Sequence, residues 1–303
     1  MKLRAMEPGD WAEVADLIYV SLNYWYAQYG KPPIFRGGPS ATRAFCEVYE
    51  KLDPGHCLVA ESEHGRLMGS CFYRARETHC SLGIMNVHPV YWNMGVGKAL
   101  LDFIVDFAER EGKPLRLVSS AMNLESFSLY TRGGFVPSIA YQDLYLQVPA
   151  EGLAAVPGSE RVRPATPADI EAMRDVELAV SGISRVKDYR YFVENAEGLW
   201  HVSVFEGDGG LDGWLVSCGH PGLNMIGPGL ARTEEQAAAL LTAELNANAG
   251  RTPLFLVPVT CGDLVRLCYS WGARNCEMHF AQARGGAEPF RGVTFPTFLP
   301  ETG

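Results

Sequence analysis

The stretch Val87-His88-Pro89-Val90-Tyr91-Trp92-Asn93-Met94-Gly95-Val96-Gly97-Lys98-Ala99-Leu100-Leu101 constrains this chain most. The apolar run ending at Val87 reads as a strand, the glycines as a turn, and the apolar repeat after Gly97 as an amphipathic helix. A strand that passes into a helix in this way belongs to a layered α/β or α+β domain. Gly95 and Gly97 also leave main-chain N–H groups uncovered where the helix starts. Unpaired donors and the helix dipole together favour an anion there, and phosphate is the usual one. Two familiar phosphate loops do not fit. A Walker loop needs Ser or Thr where Ala99 stands and glycine where Trp92 stands. A dinucleotide fingerprint needs a third glycine where Leu100 stands.

A second segment lies downstream: Asn123-Leu124-Glu125-Ser126-Phe127-Ser128-Leu129-Tyr130-Thr131-Arg132-Gly133-Gly134-Phe135. Together the two resemble the GNAT superfamily of acyl-CoA N-acyltransferases. The family pattern Val-x-Pro-x-Tyr-Arg-x-x-Gly-x-Gly is met at Val87, Pro89, Tyr91, Gly95 and Gly97. The family element Asn-x-x-Ala-x-x-Leu-Tyr-x-x-x-Gly-Phe is met at Asn123, Leu129, Tyr130, Gly134 and Phe135, with Ser126 in place of alanine. Trp92 replaces the family's usual Arg or Gln.

The resemblance implies acetyl-CoA as co-substrate, no metal, and direct transfer to a primary amine of a small molecule. It assigns coenzyme contacts to Met85, Asn86 and Val87 at the strand end, to Asn93, Met94, Gly95, Val96, Gly97 and Lys98 around the loop, and to Asn123 and Ser126. It places Tyr130 as general acid near the sulfur. Many relatives carry a glutamate on the strand before the loop, but Cys80–Val87 holds no acid. His88, His79, or a water held by main chain and Ser119 are the candidate bases, with Asn86 as an alternative group for orienting the acceptor. Two other readings stay open: a non-catalytic acyl-CoA-binding or regulatory protein, and an acyl-CoA decarboxylase or O-acyltransferase on the same fold.

The chain also repeats itself. Leu3-Arg4-Ala5-Met6-Glu7-Pro8-Gly9-Asp10 is echoed by Val162-Arg163-Pro164-Ala165-Thr166-Pro167-Ala168-Asp169. Leu67-Met68-Gly69 is echoed by Leu211-Asp212-Gly213, and Tyr130–Gly134 by Tyr269–Ala273. Similar units in the same order argue for a tandem duplication. The expected organisation is a catalytic GNAT domain over 1–149, a Pro/Gly/Ala-rich linker over 150–160 and a degenerate GNAT-like domain over 161–303. Each domain is expected to be a central mixed β-sheet flanked by helices. In the second copy, Thr233 and Gln236 form a capping box where the phosphate loop should be, with Glu234 and Glu235 between them in the first turn. That copy is expected to have lost coenzyme binding.

The second copy is also shorter near its start. There the first copy holds a densely aromatic segment from Tyr24 to Gly38. Tyr24, Trp25, Tyr29 and Phe35 are the expected acceptor-binding residues. A strand is expected over Tyr141–Val148.

Composition limits the partners. The 303 residues carry a net charge of −9 and a pI of about 5.3, which argues against binding nucleic acid through a basic surface. No apolar run reaches the roughly 20 residues that span a bilayer. The eight cysteines form no Cys-x-x-Cys pair and read as reduced core residues of a cytoplasmic protein, a monomer or homodimer.

Overall fold

The computed structural model describes residues 1–220 and 222–299. The first half runs β1 (Lys2–Ala5), α1 (Trp11–Gln28), α2 (Arg43–Leu52), β2 (Cys57–Glu61), β3 (Leu67–Ala75), β4 (Cys80–Val87), α3 (Val96–Glu111), β5 (Leu115–Ser120), α4 (Leu124–Arg132) and β6 (Val136–Tyr145). The second half repeats the order as β7 (Val162–Pro164), α5 (Ile170–Ser181), α6 (Val186–Glu194), β8 (Trp200–Gly207), β9 (Gly210–His220), β10 (Leu223–Ala231), α7 (Glu234–Ala247), β11 (Leu254–Pro258), α8 (Gly262–Ser270) and β12 (Arg274–Arg284). A short strand β13 (Val293–Phe295) follows.

The repeated sequence motifs become repeated contacts. Arg4 Nη1 donates to Asp10 Oδ2 at 2.6 Å, and Arg163 Nη1 to Asp169 Oδ2 at 2.8 Å. In each half that aspartate also accepts from a main-chain N–H, of Glu7 or of Thr166, and fixes the turn into the first helix. Gly69 lies under α3, where a Cβ would meet Val96 Cγ1 at 2.9 Å. Gly213 lies under α7, where a Cβ would meet Leu240 Cδ1 at 2.9 Å. Both glycines let a helix sit directly on a strand.

All strands join one mixed sheet, in the order β1-β2-β3-β4-β5-β12-β6-β11-β10-β9-β8-β7, with β13 on β10. The two halves exchange their sixth strands. β12 pairs with β5 of the first half, from Arg284↔Leu115 to His279↔Ser120. β6 pairs with β11 of the second, from Tyr145↔Leu254 to Pro258↔Tyr141. The sheet therefore crosses the expected domain boundary. It also moves the expected Tyr141–Val148 strand, since β6 starts at Val136, opposite Ala283, and ends at Tyr145. A partner distant in sequence sets those limits.

One core cluster spans both halves, with Phe45, Tyr49 and Phe72 on one side and Tyr189, Phe192 and Trp214 on the other. An ion triad crosses the same seam, where buried Arg76 bonds buried Asp188 at 2.7 Å and grips the partly buried Asp53 with both terminal nitrogens. Burial of Arg76 and Asp188 is tolerable because each charge has an opposite partner. Separate cores lie under α3 and under α7 and α8. Among the described residues, no helix is long and apolar enough to cross a membrane.

Candidate active site

The site begins where β4 leaves β5. These parallel strands pair only at Cys80↔Leu115 and Ser81↔Arg116, although β4 continues to Val87 and β5 to Ser120. Beyond Ser81 the β5-facing edge of β4 is open. The chain then turns through His88–Gly95 into α3. His88 caps this turn, its Nδ1 accepting from Val90 N–H at 3.3 Å. Trp92 Nε1–H donates to the carbonyl of Val87 at 2.9 Å and ties the loop to the strand end. Asn93 and Gly95 both hold positive φ, at 62° and 80°. The Gly95 conformation is one that residues with a Cβ seldom adopt. Gly95, the N-cap of α3, has no side chain with which to cap it. The first-turn N–H groups thus face out without the usual side-chain partner.

A groove of about 930 Å³ lies over this helix end. It is walled by the last turns of α1 (Ser21, Leu22, Trp25, Gln28) and its C-cap Tyr29, by Met85–Val87, by the loop to Lys98, and by one side of α4. Asn123 caps α4, its Oδ1 accepting from Ser126 N–H at 3.0 Å. Its main-chain N–H is held in turn by Ser120 Oγ at 3.3 Å. Lys98 pairs with Asp102 one turn along α3 and is exposed.

The matching place in the second half is closed twice over. Thr233 and Gln236 form the capping box, with Gln236 N–H donating to Thr233 Oγ1 at 3.3 Å and Thr233 N–H to Gln236 Oε1 at 3.1 Å. Glu234 accepts from Leu264 N–H at 2.8 Å. β10 and β11 also part after two paired positions, Met225↔Leu254 and Ile226↔Phe255. Here the gap is filled by β13, which pairs Phe295, Thr294 and Val293 with Gly229, Leu230 and Ala231. Sequence reading identified the cap but not this plug, because Val293–Phe295 carries no local sign of its partner.

The groove brings together Met85, Asn86, Val87, Asn93, Gly95, Val96, Gly97, Lys98, Asn123 and Ser126, along with Trp25 and Tyr29. The other expected residues lie elsewhere. Phe35 is 7% exposed and packs edge-on against Phe45, so it is a core residue and not an acceptor wall. Tyr24 stands outside the groove lining, edge-on to Trp92 with ring centroids 5.4 Å apart. Met94 points to solvent at 62% exposure. His88 is occupied in capping its own turn and does not line the groove. Tyr130 is buried against Phe135 beneath α3, next in sequence to the groove-lining Leu129. His79 is buried at the far end of β4, and burial followed by Arg116 and Arg185 holds its pKa well below the ordinary histidine value. Ser119 is buried and accepts from Gln282.

An acid–imidazole group escaped the sequence reading. Asp143 on β6 and Glu277 and His279 on β12 are all buried, with ligand-type atoms within 4.8 Å of one another. His279 Nδ1 lies 2.8 Å from Asp143 Oδ2. Burial raises the Asp143 pKa, while His279 acts against that rise. Glu277 accepts hydrogen bonds from the Tyr26 and Ser120 hydroxyls. The signal was unreadable in the sequence because only the strand exchange makes positions 143, 277 and 279 neighbours.

Residues 21–135 match the family model described as the acetyltransferase (GNAT) family. This part of the chain is a GNAT domain. The whole chain also has the tandem GNAT fold. It aligns with a protein of Pyrococcus horikoshii named provisionally as an acetyltransferase (TM-score 0.74, 16% identity, 99% of this chain and 95% of that one). A GCN5-related N-acetyltransferase from Sphaerobacter thermophilus aligns with a TM-score of 0.64 at 16% identity, over 93% and 95% of the two chains. A tandem GNAT protein from the clavulanic acid biosynthesis pathway aligns with a TM-score of 0.56 at 15% identity, over 94% and 98%. These likenesses concern the fold. Among curated proteins, UPF0157 protein YqkA of Bacillus subtilis is 32% identical over 73 residues, which span 24% of this chain and 21% of that protein. The GNAT domain thus owns the open groove, and the second GNAT-like half packs beside it with its own cleft filled.

Proposed function

We propose that this protein moves an acetyl group from acetyl-CoA to a primary amine of a small molecule by direct transfer. The observation that carries the reading is the uncapped start of α3, opening on the groove where β4 has parted from β5. A main-chain anion site beside an open strand edge suits a ligand with a pyrophosphate at one end and amides along its arm. The groove volume of about 930 Å³ lies within the range of small-molecule and cofactor sites.

In this reading the N–H groups of Gly95–Lys98 take the pyrophosphate, and the open edge at Met85–Val87 takes the pantetheine amides. Asn123 and Ser126 bound the arm. The neutral amine nitrogen attacks the thioester carbonyl, and a C–N bond forms as the oxygen becomes negative. A main-chain N–H on the open edge of β4 stabilises that charge. The C–S bond then breaks, the thiolate takes the phenolic proton of Tyr130, and Tyr130 regains the proton that the nitrogen gives up. Tyr130 remains the proposed acid at the sulfur. Trp25 and Tyr29, with rings 4.6 Å apart, offer faces to a cationic or apolar acceptor.

Calorimetry with coenzyme A, followed by thiol release from acetyl-CoA over a panel of primary amines, tests the reading. Coenzyme binding with amine-dependent thiol release is expected. No coenzyme binding overturns it, and binding without thiol release for any amine points to a coenzyme-binding module instead.

A further inference from the structure

The strand exchange places a side chain of the second half inside the first half's site framework. Glu277 lies on β12, which pairs with β5. It is 5% exposed, and its two carboxylate oxygens serve two different walls of the groove. Oε2 accepts from the hydroxyl of Tyr26, which stands on α1 beside the groove-lining Trp25. Oε1 accepts from the hydroxyl of Ser120. Ser120 Oγ in turn accepts from the main-chain N–H groups of Met122 at 3.1 Å and Asn123 at 3.3 Å, and so sets the loop that carries Asn123 to the groove. The neighbouring residue of β12 adds a further tie, since Lys31 Nζ donates to the Cys276 carbonyl at 2.9 Å. The aromatic end of α1 and the start of α4 are thus both anchored to one strand of the other half.

We propose that Glu277 is a positioning residue of the acyl-transfer site, contributed by the second GNAT-like half. Through Tyr26 it fixes the acceptor wall at Trp25 and Tyr29, and through Ser120 it fixes the coenzyme-side loop at Asn123. The proposal rests on the acetyltransferase reading above. It gives the second half a part in the reaction although its own cleft is filled. A charged acceptor holding two hydroxyls is stronger than a neutral one, because both hydrogen bonds are charge-assisted.

A mutant cycle in the full chain tests this. Coenzyme A affinity is measured by calorimetry, and acceptor KM by thiol release with tyramine, putrescine and a lysine-containing peptide as probes. Tyr26→Phe is expected to raise acceptor KM about five- to tenfold and to leave coenzyme affinity within twofold. Ser120→Ala is expected to weaken coenzyme A by a similar factor and to leave acceptor KM within twofold. Glu277→Ala moves both constants, and adding Tyr26→Phe or Ser120→Ala to it brings little further loss, because the groups act as one unit. Glu277→Gln keeps the shape without the charge and falls between wild type and Glu277→Ala, which also covers the case in which the alanine variant does not fold. A Glu277 variant that melts earlier but keeps both constants within twofold overturns the proposal. If wild type binds coenzyme A but acetylates none of the three probes, the acetyltransferase reading fails for them. The proposal is then judged by coenzyme affinity and by hydrogen exchange over residues 24–36 and 121–126. Both segments are expected to exchange faster in Glu277→Gln, and unchanged exchange in either overturns it.

Discussion

The indole of Trp92 donates its N–H to the Val87 carbonyl at 2.9 Å, across the turn between β4 and α3. A residue standing where the family usually has Arg or Gln therefore braces the main chain that shapes the anion site. Trp92→Phe keeps the ring and removes the bond. One such bond is worth about 1 kcal/mol net, or roughly a fivefold change in binding. Coenzyme A affinity measured by calorimetry is expected to fall by about that factor. An unchanged value places the brace outside the binding energetics.

Coenzyme A is expected to bind at one site per chain. Gly97 lies in helical backbone, and a Cβ there would meet Leu129 Cδ2 at 3.5 Å and Val87 Cγ2 at 3.7 Å, which are ordinary contacts. Gly97→Ala should therefore fold with a nearly unchanged Tm. Gly97→Glu sets a carboxylate at the helix start and should abolish binding. A residual site of half the wild-type capacity in the glutamate variant would mean that the second half also binds coenzyme.

Tyr130→Phe tests the acid assigned at the sulfur. General acid catalysis is worth roughly 10²–10⁴-fold, so turnover should drop by about a hundred- to ten-thousandfold with coenzyme affinity unchanged. Its place in the core beside Phe135 supplies the contrary outcome. If Tm falls and turnover per folded molecule does not, Tyr130 is a packing residue.

The aromatic segment separates into two classes. Trp25→Ala with Tyr29→Ala removes a groove wall and is expected to raise acceptor KM, with coenzyme KM unchanged. Phe35→Ala instead opens the core against Phe45, at a cost of about 3–5 kcal/mol. It should lower Tm without altering acceptor preference. The same KM shift in both variants would contradict this division.

His201 and Glu244 form a pH-dependent pair in the second half. His201 Nδ1 lies 3.0 Å from Glu244 Oε1, and Ser217 Oγ donates to Oε2 at 2.6 Å. The bond to Glu244 raises the His201 pKa above the ordinary value, against the opposite pull of burial. A raised folded-state pKa stabilises the native state fully below the unfolded value of about 6.5, and that stability is lost as pH rises through the folded value. The Tm gap between wild type and His201→Gln should be widest near about pH 5.5 and close at about pH 8.5. A gap independent of pH would show that the pair contributes through packing alone.

Much of the molecule was legible locally. The glycine turn after Val87 and the Thr233–Gln236 box depend on residues within a few positions of each other, so they can be read from spacing. The paired Arg4–Asp10 and Arg163–Asp169 turns likewise made the duplication visible. Tertiary structure decided what local spacing does not encode. It set Phe35 in the core and left Trp25 and Tyr29 on the groove, because the direction of an aromatic side chain follows from what packs on its helix and loop. It filled the second cleft with β13 and left the first open. It also brought Glu277 to Tyr26 and Ser120. Strand pairing forms through main-chain bonds that any side chains can share, so the exchange of β6 and β12 leaves no motif in the sequence.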